Sequence, residues 1–401
     1  MLNFLETLPE IKEVLPTCNL GLVGGKPSIT IIDIRRQKLA TDHFLAKDII
    51  RGLTQPSIIP GFNPAEPDIT PTDPVRTLPD VLIYDTHGLN LFDQLTSTEE
   101  YYITRSETSI LIQESDAIAQ KCKDRHVLVE LGAGALRKTR LLLEAFDRLG
   151  PSFTYYALDL DHTALVEALT QIGHFQNINL VGLWGTYEDG MAYLPTLPSH
   201  HRKFVWWLGS SMGNFTPQDL DDFLLRLQSA LEPGDALLLG SSGPTNPSAI
   251  HRAYHDSAGI HASLLLNVLT HANHILGQPL FDLADFEYDC WYNPQCTQVE
   301  MYVRTCRALR LEYYGSANES SPSCSVDSVD SSNCQGKSPV LYINMQMGER
   351  IHVIYSVKFS VDRIQELAHN AHLIVDAYWV SSDDYNCQLS LLSKPWPDIP
   401  Q

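Results

Sequence analysis

From Val127 to about Gly243 short apolar runs alternate with amphipathic stretches: HVLVELGAG, RKTRLLLEAFDRLG, TYYALDLD, HTALVEALTQIG, NINLVGLWG, then KFVWWLGSSMGNFTP, DLDDFLLRLQSAL and DALLLGSSG. Apolar runs this short, separated by segments with one apolar face, predict βαβ units and a parallel sheet covered on both faces. The expected core is therefore α/β and doubly wound. Upstream, ITIIDIRR predicts a strand or extended arm leading to a helix through Arg51, and helical periodicity resumes from Gly88 to Cys122. Between them residues 55–80 are too rich in proline for a helix or a central strand, and predict an extended connection. Downstream, VEMYVRTCRALRLEYY and ERIHVIYSVKFS alternate as antiparallel strands do, and VDRIQELAHNAHL repeats as a helix does. These predict a second, smaller α+β domain.

The expected division is an arm, helix and proline-rich connection over 1–78, the core over 79–245 and the α+β domain over 246–401. Residues 316–338, SANESSPSCSVDSVDSSNCQGKS and its flanks, have almost no large apolar side chain to bury, and predict a flexible insertion in a hairpin.

Charge narrows the partners. With 28 Lys and Arg against 48 Asp and Glu, the formal net charge of −20 argues against a nucleic-acid groove or an anionic membrane surface. No apolar run approaches the roughly 20 residues of a spanning helix, and the acid-containing start MLNFLETLPEIKEVLP does not read as a signal peptide. The eight cysteines show no CxxC pair, which suits free thiols in a reducing compartment and a cytoplasmic protein. A metal site is not expected: the histidines, His200 and His201 among them, lack ligand spacing.

VELGAG ends a strand and opens a helix, where Gly132 and Gly134 let a ligand approach the backbone. The third glycine of a dinucleotide fingerprint is missing. Instead YALDLD puts Asp159 at the end of the next strand, placed to accept hydrogen bonds from both hydroxyls of an adenosine ribose. A glycine turn followed by a second-strand acid is the layout of class I methyltransferases, and implies S-adenosyl-L-methionine as cofactor. The bland alternatives are a structural turn and an acid that merely caps a helix.

Several segments, in order from about Pro79 to Phe359, resemble one family: LIYDTHGLNLFDQLTSTEEYYITRSE, VELGAGALRKTRLLLEA, YALDLD, WLGSSMGNFTP, HRAYHDSAG, VEMYVR and YSVKF. The chain resembles the histidine-specific N-methyltransferases of ergothioneine biosynthesis and their fungal relatives that methylate tryptophan or dimethylallyltryptophan. The resemblance implies cofactor contacts at Gly132, Lys138 and Asp159. It implies amino-acid contacts at Tyr84, Phe92, Tyr101, Gly209, Asn214 and Tyr254, with Met301 of VEMYVR, Ile354 and Ser356 lining the side-chain pocket. Tyr84 or Tyr101 would accept from or orient the amine, and Asn214 with Tyr254 would hold a carboxylate. Where the family carries an acid to read adenine, this chain has Thr186 before Tyr187, which leaves that task to Thr186, Glu188 or Asp189.

A second departure concerns the substrate. In the histidine enzymes a late strand carries an acid and, two residues on, a serine that together read the imidazole; here Ser356 is kept but Ile354 stands in place of the acid. The expectation is N-methylation of the α-amine of an aromatic or apolar amino acid, tryptophan-like or prenylated, in fungal-type secondary metabolism. Histidine is the alternative, and Glu349 would be the acid if the register slipped. A cofactor-binding protein without turnover is the rival of another class, against which Asp159, Lys138, Asn214 and Tyr254 stand together. A serine hydrolase is disfavoured, since Gly209-Ser210-Ser211-Met212-Gly213 matches GxSxG only in letters.

Overall fold

Strands as apolar as VLVEL and KFVWW cannot face water on either side, and in the computed structural model every residue of both is buried. The structure describes residues 18–19, 29–36, 41–58, 74–150, 152–198, 201–315 and 340–397. The insertion at 316–338, His200 and the middle of the proline-rich connection lie outside the described residues.

In chain order the first half contains β1 (Cys18–Asn19), β2 (Thr30–Asp33), α1 (Thr41–Thr54), β3 (Arg76–Thr77), a 3-10 helix Asp80–Tyr84, α2 (Thr86–Thr96) and α3 (Tyr102–Lys121). The alternating core follows as β4 (Val127–Leu131), α4 (Thr139–Arg148), β5 (Phe153–Asp159), α5 (His162–Ile172), β6 (Ile178–Trp184) and α6 (Tyr187–Tyr193). It continues with β7 (Lys203–Trp207), a 3-10 turn Ser211–Asn214, α7 (Pro217–Ala230) and β8 (Ala236–Ser242). Then come α8 (Pro247–Tyr254), α9 (Ile260–Leu276), β9 (Phe286–Asn293), β10 (Gln298–Thr305), β11 (Leu309–Tyr314) and β12 (Val340–Met345). The chain closes with β13 (Arg350–Val357), α10 (Val361–Asn370), β14 (Ile374–Val380) and β15 (Cys387–Ser393).

One sheet of nine strands runs β1-β2-β6-β5-β4-β7-β8-β15-β14. Its strands from β2 to β8 are parallel, and β15 joins β8 antiparallel. The expected doubly wound α/β core is thus present. On one face α3, α4 and α5 bury Leu111, Phe146 and Leu165 against the sheet, and on the other α6, α7 and α10 bury Met191, Phe223 and Leu367. The chain leaves β4 toward β5 on one side and returns to β7 on the other, so the crevice beyond the carboxyl ends of these strands is where a ligand fits.

The sheets do not follow the expected division at 245. β14 and β15, from the segment assigned to the α+β domain, complete the main sheet, and β2, from the expected arm, extends its other side. From the rest of that segment β13, β10 and β9, joined by β3 of the expected arm and connection, form a four-stranded sheet, β3-β13-β10-β9, whose apolar face packs with α1, α2 and α9 around Leu53, Leu95, Val268 and Val303. β11 and β12 pair as a hairpin on either side of 316–339.

The expected helix from Gly88 to Cys122 is two helices. The Ser97 and Thr98 amides close back onto Gln94 and Leu95, and the Thr98 hydroxyl accepts the Tyr101 N–H. Short hydroxyl side chains compete here with the helical ladder, and the break turns Tyr101 into the N-cap position of α3. Among the described residues no helix is long and apolar enough to cross a membrane.

Candidate active site

Both glycines after β4 are in the left-handed region, Gly132 at φ +70° and Gly134 at φ +55°. A side chain at Gly132 would be strained twice, since its Cβ would come 2.7 Å from the Tyr187 hydroxyl. The turn aims the Gly134 N–H at Asp159 Oδ2, 2.9 Å away. Asp161 performs the capping of α5, accepting the Ala164 N–H, so Asp159 is not a helix cap. Asp159 also accepts the Asp161 N–H, at 3.3 Å. Burial raises its pKa, and no cation pairs with it among the described residues.

A carboxylate with spare lone pairs at the mouth of a glycine turn fits the donors of a ribose diol.

Thr186 has a different task from the one expected of it. Its hydroxyl donates to Asp189 Oδ2 (2.9 Å) and accepts the Asp189 N–H (3.1 Å), while the Thr186 N–H returns to the same carboxylate: a capping box for α6. Asp189 is further tied to Arg36, 3.2 Å away. Neither side chain is left to read adenine, and Glu188 is exposed, with its carboxylate near Arg226. Tyr187 fits the cofactor position better: its hydroxyl lies over Gly132 and interacts with Ser211 and Trp207.

Lys138, expected at the cofactor, forms an ion pair with Glu107, whose other oxygen accepts the Gly209 N–H at 2.8 Å. Gly209 is itself left-handed, at φ +86°. Glu107 ends the segment EEYYITRSE, the one signal in the sequence for its role. It joins α3, the start of α4 and the loop after β7. That loop is pinned by Met212, which is fully buried against α7, worth about 1.5–3 kcal/mol for a side chain of this size. Ser210 is engaged with Ser242, hydroxyl to hydroxyl at 3.1 Å, and accepts the Ser242 N–H, which is the arrangement of a structural serine.

The residues expected at the amino acid form a connected set. Asn214 donates its amide N–H to the Tyr84 hydroxyl at 3.2 Å, and Thr216 caps α7. The Tyr101 ring meets Phe92 edge to face at 6.1 Å and Tyr254 at 6.4 Å, and Tyr254 lies 5.0 Å from the His261 ring. Phe92 is partly exposed, at the rim. Burial raises the pKa of Tyr84, Tyr101 and Tyr254 above the usual phenol range, so all three are neutral near pH 7. His261 is held down to about 4 by burial and is also neutral. Tyr84 in turn lies near Tyr187 and Tyr187 near Asp159, so the two halves of the site adjoin.

On the floor, Met301 pairs with Ile354 and Val299 with Ser356, which puts Ile354 and Ser356 on one face. Both are buried. Glu300 faces the other way, taking hydrogen bonds from the Tyr302 hydroxyl and from Gln298. Glu349, the acid of the slipped register, is bound to Arg76 at 2.7 Å and accepts the Gln346 N–H. It stands five residues from Ile354, about 16 Å along a strand. Lys358 completes the cluster, donating to Tyr254 and Ser356. A lysine inside the apolar run YSVKF is its signal in the sequence.

If Asn214 holds Tyr84 for the substrate, Asn214→Ala raises the KM for the amino acid roughly tenfold, about one hydrogen bond, and leaves the cofactor Kd unchanged. Steady-state kinetics with calorimetry checks this, and equal effects on both would reduce Asn214 to shaping the loop.

Residues 45–394 match the family model described as histidine-specific methyltransferase, SAM-dependent. An L-tryptophan methyltransferase of Psilocybe serbica is 28% identical over 92% of this chain and 99% of its own. Histidine N-alpha-methyltransferase of Mycobacterium tuberculosis is 35% identical over 57% of this chain and 70% of its own. Ergothioneine biosynthesis protein 1 of Neurospora crassa is 38% identical over 54% of this chain, and the match spans only 25% of that protein.

Proposed function

This chain belongs to the histidine-specific, S-adenosylmethionine-dependent methyltransferase family, and on that premise we propose that it methylates the α-amine of an aromatic or otherwise apolar amino acid. The observation that carries the choice of substrate is the apolar strand face of Met301 and Ile354 beside Ser356, with Glu300 and Glu349 both directed and bonded elsewhere. An imidazole N–H set against Ile354 finds no charged acceptor, a loss of about 1.5–3 kcal/mol. The likeness to a tryptophan methyltransferase over nearly the whole chain supports the same reading.

Gly132, Gly134, Asp159 and Tyr187 would hold the cofactor, which when bound supplies a methyl group on a positively charged sulfur. The chain's own residues orient the acceptor. Tyr84, one lone pair occupied by the Asn214 N–H, offers the other to an amine N–H. As a neutral phenol it positions the nitrogen and does not serve as a strong base. None is required, because an unperturbed α-amino group with a pKa near 8 loses its proton at modest cost. The buried rings of Tyr101 and Tyr254, with Phe92 at the rim, exclude water and favour a methylated ammonium by cation–π contact. Holding the reacting groups in line in such a site is worth up to roughly 7–11 kcal/mol.

The histidine reading keeps one observation in its favour, the higher identity to a histidine enzyme over about half of the chain. Incubation with labelled cofactor and the proteinogenic amino acids plus a prenylated tryptophan, with products read by mass, decides between them. A methylated aromatic amino acid is expected. Cofactor binding with no S-adenosylhomocysteine formed from any amino acid would favour a binding protein without turnover.

A further inference from the structure

We propose that Lys358 is the buried counter-charge for the substrate's carboxylate, a positioning residue acting through the hydroxyls of Tyr254 and Ser356; this rests on the amino-acid reading above. Lys358 is almost fully buried, at 2% exposure, at the end of the strand that carries Ile354 and Ser356. Its Nζ donates to the Tyr254 hydroxyl at 2.6 Å and to Ser356 Oγ at 2.9 Å, and lies 4.9 Å from the centre of the Tyr254 ring. It forms no ion pair among the described residues. The charged and titratable groups that face it are the thiols of Cys290 on β9 and Cys387 on β15, His261 on α9 and Tyr254 on α8.

A buried ammonium without an acid is costly unless an anion arrives to offset it. A lysine has only donors, so both hydroxyl oxygens act as acceptors toward it. The two hydroxyls also bond each other, and with Ser356 giving its proton to the Tyr254 oxygen, Tyr254 keeps its own proton to give. Tyr254 is the residue that the family resemblance sets at the carboxylate, and with its oxygen already accepting from Lys358 its proton is free to bond an anionic oxygen in the chamber. The lysine's charge strengthens that donor and neutralises the carboxylate beyond it.

Burial lowers the Lys358 pKa to about 7. The thiols of Cys290 and Cys387 are pushed up to about 12, and His261 stays neutral above about 4. Of the facing groups, Lys358 alone changes charge between pH 6 and 9.

The test compares kcat/KM for the best amino-acid substrate with that for its carboxamide. The wild type should prefer the carboxylate, and Lys358→Met should reduce that preference at least tenfold with cofactor affinity unchanged, while Lys358→Arg retains part of it. An unchanged preference in a Lys358→Met protein that still binds cofactor overturns the proposal. The wild type alone offers a second measurement should that variant fail to fold. Binding of 3-indolepropionate, which has no amine to titrate, should weaken toward tenfold per pH unit above about 7, while 3-indolepropionamide stays level. A flat carboxylate profile from pH 6 to 9 overturns the proposal as well. If no amino acid is methylated, the amino-acid reading fails by itself, and the 3-indolepropionate profile still decides the lysine.

Discussion

Asp159→Ala should raise the cofactor Kd by a hundredfold or more, while the protein stays folded. Two ribose hydroxyls would lose a charged acceptor, each bond worth about 1.5–3 kcal/mol, and every 1.4 kcal/mol is about a factor of ten. The Gly134 N–H would lose its acceptor too, which loosens the turn that receives the ligand. Stability should not fall in step. Asp159 has no cationic partner among the described residues, and burial already disfavours its charged form. Asp159→Asn keeps one oxygen and should bind better than the alanine variant. Calorimetry on both checks this, and unchanged affinity in Asp159→Ala would remove the residue from the site.

The second large effect is on specificity. Ile354→Glu places a carboxylate on the strand face beside Ser356, where an imidazole N–H would meet it. A charge-assisted hydrogen bond of about 1.5–3 kcal/mol corresponds to roughly 10 to 150-fold in favour of histidine. The same change takes apolar surface from a bulkier ring, so discrimination should move from both sides. A carboxylate buried without a partner is unfavourable, so the variant should melt at a lower temperature when free and recover stability with histidine bound. Competition between histidine and tryptophan, scored by product mass, measures the shift, and a ratio that does not move would take Ile354 out of the pocket.

What the sequence made legible follows the range of the contacts. The core from β4 to β8 was readable because each strand is too apolar to be exposed and each helix packs on the strand beside it. The two last strands of the main sheet were not: CQLSLLS and IVDAYWV look like any antiparallel pair, and only pairing across more than a hundred residues, as Leu391 to Leu238, assigns them to β8. The break between α2 and α3 was written in Thr96-Ser97-Thr98, but helical periodicity on either side concealed it. Thr186 to Asp189 is a readable capping signature, at the position where the family pattern has an acid for adenine. Glu107 lies in EEYYITRSE and Lys358 in YSVKF. Their roles depend on what faces them across the fold, the Gly209 N–H in one case and Tyr254 in the other, and periodicity reports which face a residue is on without reporting its opposite number.

The choice of substrate turns on the uncharged strand face at Ile354. The direct test is kcat/KM of the unmodified protein for tryptophan and for histidine, measured side by side at saturating S-adenosylmethionine. The expected result is a preference for tryptophan. A preference for histidine of about tenfold or more would mean that the pocket reads an imidazole without the acid, and would contradict the account.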